Sequence, residues 1–368
     1  MSANYWTSTQ HSHWIFTRQS LQQARQETES HNTRSRPNKN TNSASSGRER
    51  GSTDNNNLNS LSTSHDDSIA FDTSDTSNNN NNNDDSTNLK GANNAKNGRL
   101  NNNEDSLDSF SKISTGNDKG LGTNLIENRH IRIYLHHLVL TLGQHLSIRQ
   151  RVLATAQTYL LRLYTRISLY ELNPYLVVTT CVYLACKIEE SPQHVRTITN
   201  EARNLWPDYI THDPTKVAEC EFYLIEELET YLIVHHPYRS LLQIIKNLES
   251  PVLGEFVVVL LPEEIQIAWS IINDSYITDL HLLFSPHVIA ISCLYITVIL
   301  KSYLIRVHQP PDSIKTVIQN FIKFIGESNF SLECIIECVQ EMLSLYSSWE
   351  TYEESVCKSA IEQILLQG

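Results

Sequence analysis

Residues 173–192, NPYLVVTTCVYLACKIEESP, read as one buried helix, and the rest of the chain is organised around it. Asn173 suits a helix N-cap, and Pro174 occupies the first turn, where its missing N–H costs nothing. Apolar or small residues then run almost unbroken to Ile188. A surface helix carries one apolar stripe. Here every face is apolar or small, including Thr179, Thr180, Cys181, Ala185 and Cys186, so neighbouring helices must cover all of it. The run is too short, and too closely bounded by polar residues, to span a bilayer.

The same design recurs at residues 285–300, SPHVIAISCLYITVIL. A shift of 112 positions superposes the two segments without a gap, setting Pro174 on Pro286, Cys181 on Cys293 and Tyr183 on Tyr295. Upstream, Ala156 falls on Ala268 and Tyr164 on Tyr276. A twofold repeat of this length indicates a domain duplication, because solenoid units are shorter and more numerous. The chain is therefore expected to hold two helical domains, each built round a central apolar helix.

The 368 residues have room for two or three domains, and the 40% hydrophobic content averages two unlike parts. Residues 30–120 are mostly Asn, Ser, Thr and Asp, with an unbroken asparagine run at residues 78–83. Such a composition buries too little apolar surface to offset chain entropy, so disorder is expected there. From about residue 121 the chain is rich in Leu, Ile, Val and Tyr, and long enough for two cores. The formal charge of −12 argues against nucleic acid as the main partner, because phosphate binding needs a basic face. The seven cysteines are odd in number, lack CxxC spacing and mostly sit among apolar residues. They read as reduced core thiols of a cytosolic or nuclear protein. The N-terminus has no apolar stretch of the kind that opens a signal peptide.

Residues 1–29 contain Trp6, Trp14, Ile15, Phe16 and Leu21, all costly to leave exposed. Helical spacing puts Trp14, Arg18, Leu21 and Arg25 on one face, which docks on its own protein, on a partner, or on both. Five helices follow residue 121. The first carries Ile131, Leu135, Leu138 and Leu142, with Gly143 as its stop. The second has Ser147 as cap and Val152, Ala156, Tyr159, Leu160 and Leu163 as its apolar face. The central helix comes third, a short helix over residues 195–204 fourth, and a long helix opened by Asp213-Pro214 fifth. After His236-Pro237 the count restarts, with Pro262, Glu263 and Glu264 suited to a helix N-terminus. A last helix over residues 352–366 is expected to pack on the second domain. No stretch alternates with a two-residue period, so the fold is all-α.

The sequence holds no catalytic constellation: no glycine-rich phosphate loop, no GxSxG and no HExxH. The pairs His136-His137 and His235-His236 are adjacent, about 100° apart on a helix, which is poor geometry for one metal. Cys334 and Cys338 share a helix face but are ringed by apolar residues, which favours packing. No metal and no cofactor is implied. One charged feature stands out. Lys187 suits a helix C-terminus, but Glu189 and Glu190 oppose its dipole, and Glu221 lies mid-pattern in a long helix. By composition these charges are tolerated by solvent or held by tertiary or partner contacts. The repeat favours a site slightly, because Lys187 falls on Ile299 and the charge belongs to one domain only.

Two five-helix repeats, with LACKIEE closing the third helix and a glutamate in the fifth, resemble the tandem cyclin boxes of the cyclin family. The similarity is greatest to the cyclin C subfamily, the cyclins of the Mediator kinase module. It is carried by NYWTSTQ…WI, LGQHLSIRQRVLATAQTYLLRLY, CVYLACKIEE, ECEFYLIEEL, IVHHPYRSLL and AWSIINDSYITDLHLLFSP. The implied domains are an N-terminal helix segment (1–29), a disordered linker (30–120), a first cyclin box (121–235), a second (236–349) and a C-terminal helix (350–368). The resemblance puts the family's kinase-contacting lysine at Lys187 and its glutamate at Glu221, with Glu190, Trp6 and Trp14 also at the kinase interface. Leu138 stands where substrate-docking cell-cycle cyclins have tryptophan.

The function so implied is a nuclear, non-catalytic regulatory subunit. It binds and activates a cyclin-dependent protein kinase of the Mediator kinase module, together with other Mediator subunits, and so regulates RNA polymerase II transcription through the polymerase C-terminal repeat and transcription factors. No direct nucleic-acid or membrane partner is implied. The alternatives are a cyclin-fold initiation factor that binds promoter DNA, which should carry a basic face and often a zinc ribbon, and a scaffold that binds the kinase without activating it.

Overall fold

Asn173 caps the central helix as expected, its side chain accepting a hydrogen bond from the Tyr175 amide at 2.9 Å. The computed structural model describes residues 4–35, 125–249 and 257–367. The expectation of disorder for residues 30–120 lies outside these residues, except that residues 30–35 continue a helix. Among the described residues every regular element is helical. The N-terminal segment forms α1 (Thr9–His13) and α2 (Arg18–Ser35). The first box is α3 (Arg129–His145), α4 (Gln150–Leu163), α5 (Pro174–Ile188), α6 (Val195–Leu205) and α7 (Thr215–Glu227). The second is α8 (Pro237–Glu249), α9 (Pro262–Ser275), α10 (Leu280–Leu283), α11 (Pro286–Tyr295), α12 (Ser302–Ile305), α13 (Pro311–Glu327) and α14 (Leu332–Trp349), with α15 (Glu354–Gln367) at the end.

The helices α3, α4, α6 and α7 all pack on α5, as an all-round apolar helix requires. In the second box α11 takes the same central place against α8, α9 and α14. Each central helix anchors its own apolar core. The division is imperfect, because Ile133 of α3 and Ala154 of α4 belong to the second core. Burying them there welds the boxes together.

Several local expectations are corrected. Gly143 does not end α3, which runs on to His145. A methyl group at Gly143 would collide with Leu153, so the glycine serves the close approach of α3 and α4. Ser147 is no cap: it takes a left-handed conformation (φ 52°), and Arg149 precedes α4 instead. The fifth helix stops at Glu227, where Glu229 and Thr230 both have positive φ and turn the chain towards α8. The second central helix leaves α geometry after Tyr295 and continues as a π-helical turn, Ile296–Leu300, coincident with a β-branched run. The last helix packs on the first core: Cys357, Ala360, Ile361 and Ile364 are buried there, beside the apolar flank of α3.

The N-terminal helix is likewise broken. Trp14 caps α1 and α2 starts only at Arg18, so Trp14 does not share a helix with Arg18, Leu21 and Arg25. The segment is nonetheless firmly tied down. The Phe16 amide donates to the Leu282 carbonyl at 2.7 Å. Gln10 bonds both backbone groups of His235. Arg25 forms a two-pronged pair with Asp279 at 2.6 and 3.0 Å, and Arg132 of α3 reaches the same carboxylate at 2.9 Å. Burial alone would raise the Asp279 carboxyl, but Arg132 and Arg25 hold it well below the usual carboxylate range.

Candidate functional site at the end of the central helix

The helix α5 ends where Glu189 caps it, its amide donating to the Ala185 carbonyl at 2.9 Å, and Glu190 turns left-handed at φ 52°. Lys187, in the last turn, extends over the Tyr183 ring at 5.1 Å and donates to Glu221 Oε1 on α7 at 2.5 Å. Glu221 is buried, whereas the lysine side chain is 45% exposed. The pair thus presents an ammonium with further N–H donors beside a carboxylate with a second oxygen, a combination that suits the N–H and C=O groups of a partner backbone. Beside it on α7, Phe222 is 75% exposed. The buried face of α7 is Val217, Cys220, Glu221 and Leu224, and Phe222 falls off that face.

The two terminal glutamates differ. The Glu189 side chain is only 6% exposed: Thr155 donates to its Oε1 at 2.7 Å, and Arg151 Nε meets its Oε2 at 2.6 Å. Tertiary contacts therefore hold this charge against the helix dipole. Glu190 is exposed and lines a recess of about 230 Å³ with Arg149, Arg151 and Ser191. Lys187, Glu221 and Glu190 thus share one end of the first box.

The two tryptophans also part company. Trp14 is 1% exposed, its ring held by the guanidinium groups of Arg162 (5.0 Å) and Arg166 (5.2 Å). Expected at a partner interface, Trp14 instead spends its surface within the chain. Trp6 is 58% exposed and stands at the rim of a groove of about 760 Å³. Tyr5, Ile233, His235, Tyr238, Arg239 and His287 also line this groove, and no carboxylate does.

His136 and His236 are buried and bonded to protein groups, and burial pushes each imidazole down to about 3. Among the described residues no three or more His, Cys, Asp or Glu gather as a metal site would need. The buried thiols of Cys181 and Cys293 are raised by desolvation, as apolar packing implies.

Sequence reasoning missed Phe222, although a helical wheel of residues 215–227 separates it from the apolar face. It also missed the clamp from Arg162 and Arg166 and the role of Thr155, which depend on neighbours distant in sequence and left no local signal.

This architecture is that of the cyclins. Residues 111–233 match the family described as Cyclin, N-terminal domain. The chain is 57% identical over 236 residues to an RNA polymerase II holoenzyme cyclin-like subunit of Yarrowia lipolytica, covering 64% of this chain and 83% of that one. Its counterpart in Kluyveromyces lactis is 50% identical over 238 residues (65% and 75% covered), and that of Saccharomyces cerevisiae 45% over 249 residues (65% and 76%). The chain belongs to this family of cyclin-like subunits. Its fold is also similar to a chain of the CAK complex of Chaetomium thermophilum bound to ATP-gamma-S, with a TM-score of 0.57 at 16% identity, covering 98% of this chain and 86% of that one. A chain of the yeast TFIIK complex gives 0.51 at 19% identity, with 92% and 100% covered.

Proposed function

We propose that this chain is the regulatory subunit of a cyclin-dependent protein kinase of the Mediator kinase module, acting in the nucleus on RNA polymerase II transcription. The relatives' names tie those proteins to the RNA polymerase II holoenzyme, and the reading extends that association to this chain. The observation that carries it is the Lys187–Glu221 pair, partly exposed at the end of α5 beside the exposed Phe222. In the second box Ile299 stands at the lysine's repeat position, inside a π turn.

The mechanism requires no catalytic residue in this chain. An active kinase needs the glutamate of its αC helix paired with the β3 lysine, so that phosphates and metal are positioned. Lys187 and Glu221 bond backbone groups near αC, and Phe222 packs on its apolar side. A rigid surface that binds the inward αC better than the outward one shifts the kinase towards its active state, by as much as the two affinities differ. Glu190 and Trp6 extend this contact at its edges, and Trp14 acts indirectly by anchoring the segment that carries Trp6. The boundaries of the two boxes, 121–235 and 236–349, and the tether formed by residues 30–120 belong to the same reading.

Co-expression with the organism's Mediator-type kinase tests it. Because Lys187 and Glu221 pair with each other, exchanging them (Lys187→Glu with Glu221→Lys) retains the internal pair and reverses what a partner meets. The wild-type chain binds and activates the kinase; the exchanged chain, folded by circular dichroism, does neither. Binding without activation would point to a scaffold, and no binding by the wild type would refute the kinase reading.

A further inference from the structure

The HHPYR stretch, residues 235–239, joins the boxes and opens α8, and its second histidine lies inside a hydrogen-bonded chain that ends at the candidate site. His236 Nδ1 lies 2.7 Å from the Tyr276 hydroxyl of the second box, and its Nε2 lies 2.8 Å from Thr155 Oγ1 of the first. Thr155 in turn lies 2.7 Å from Glu189 Oε1. Thr155 and Tyr276 are buried and the His236 side chain is only 6% exposed; burial, then Arg151 and Arg162, push its imidazole down to about 3 and keep it neutral, against the pull of Glu189 Oε1 at 3.9 Å from Nε2.

The bond directions follow from Glu189 meeting Arg151 as a carboxylate and from the neutral ring. An ionised carboxylate only accepts, so the single Thr155 proton goes to Glu189. The Thr155 oxygen must then accept from His236, which fixes the neutral ring as the Nε2–H tautomer. Nδ1 is left bare and accepts from the Tyr276 hydroxyl. The relay therefore runs one way, from Tyr276 through His236 and Thr155 to Glu189, whose other oxygen is held by Arg151 Nε at 2.6 Å. Glu189 is the C-cap of α5, two residues beyond Lys187 and next to Glu190.

We infer that His236, Thr155 and Tyr276 are positioning residues through which the second box sets the geometry of the Lys187-bearing end of α5. None of them touches the partner; each acts through Glu189. The inference rests on the kinase reading of Lys187 and gives the HHPYR stretch a physical role. Tyr276→Phe removes the relay proton, together with the hydroxyl's contact to Tyr238, but keeps the ring, which stacks on His281 with centroids 3.7 Å apart.

The test is a binding cycle on the full chain with its co-expressed kinase. Losing one relay hydrogen bond through Tyr276→Phe is expected to weaken binding about threefold to tenfold. With Lys187 replaced by alanine the same change should cost much less, because the end it positions no longer carries the contact. With Phe222→Ala, whose side chain lies outside the relay, the effects should multiply. A merely structural role would multiply with both, and that result, or unchanged affinity, overturns the inference. Histidine-labelled chain, with His236 identified by His236→Gln, should show a protonated Nε2 and a bare Nδ1 by ¹⁵N NMR; the opposite tautomer also overturns it and needs no folded Tyr276 variant. If the wild-type chain binds no kinase, the kinase reading fails and takes the positioning role with it, whatever the tautomer.

Discussion

The two boxes close the end of their central helices with ion pairs of opposite sense. In the first, a cation near the start of the second helix, Arg151, meets an anion just past the third, Glu189, at 2.6 Å. In the second, the anion Glu264 near the start of α9 meets the cation Arg306 beyond α12, also at 2.6 Å. Their surroundings differ more than their geometry. The Arg151 side chain is 71% exposed, whereas Glu264 is wholly buried and Arg306 nearly so. Glu264 also accepts from the Leu261 amide, and Arg306 donates to the Val259 carbonyl, so the buried charges are fully satisfied. One duplicated frame has therefore been used twice: sealed as structure in the second box, left with its cation in solvent in the first.

That contrast can be broken most severely at Arg306. Arg306→Ala leaves the Glu264 charge buried without its cation and should cost about 3–5 kcal/mol in denaturant unfolding. A loss below about 1 kcal/mol would mean that the second-box pair is not the seal described.

Acid should sharpen the contrast next. The pair in the second box has no histidine in its bonds, whereas the first-box end is tied to buried, neutral His236. Its imidazole is pushed down to about 3 from an ordinary 6.5, so the unfolded chain binds its proton first as pH falls. The sign follows: stability is full above 6.5 and drops below it, by about 1.4 kcal/mol per pH unit for each such histidine. His136, held at about 3 by burial, and buried His281 of the second box, lowered still further by burial, add contributions of the same sign. Replacing His236 by glutamine should remove about one proton's worth of slope between pH 5 and 6, read from urea midpoints at each pH.

A smaller effect separates the open surface from the core beneath it. Phe222→Ala should weaken kinase binding by about 1–2 kcal/mol while changing stability by less than about 0.5 kcal/mol. Equal losses in both would mean that Phe222 packs within the chain. The smallest effect is expected at Arg151. Its side chain is mostly in solvent, and Glu189 keeps its bond from Thr155, so Arg151→Ala should cost about 0–1 kcal/mol and barely shift the unfolding midpoint, in contrast to Arg306→Ala.

Read from the residues alone, the duplication and both central helices are plain, because capping chemistry and all-round apolarity are local signals. Pro174 and Pro286 both open helices where expected. The site was half legible. Glu189, Glu190 and Glu221 stood out as charges set against the helical pattern, and the resemblance to cyclins picked out Lys187 and Glu221; which terminal glutamate is held inward was invisible, since Arg151 and Thr155 lie 38 and 34 positions from Glu189. Trp14 shows the same limit: its aromatic bulk predicted burial or partner contact, and only the positions of Arg162 and Arg166 decided between them.

The sequence by itself determined an all-helical, duplicated chain with a lone charged helix end in one copy, because helix starts, periodicity and repeat spacing are written within a few turns of each residue. Tertiary structure alone decided that Glu189 is held inward and Glu190 left outward, that the last helix completes the first core, and that His236 links the boxes. Those outcomes depend on which distant groups satisfy a buried charge or cover an apolar face, and burial and hydrogen-bond partnership are properties of the packed molecule.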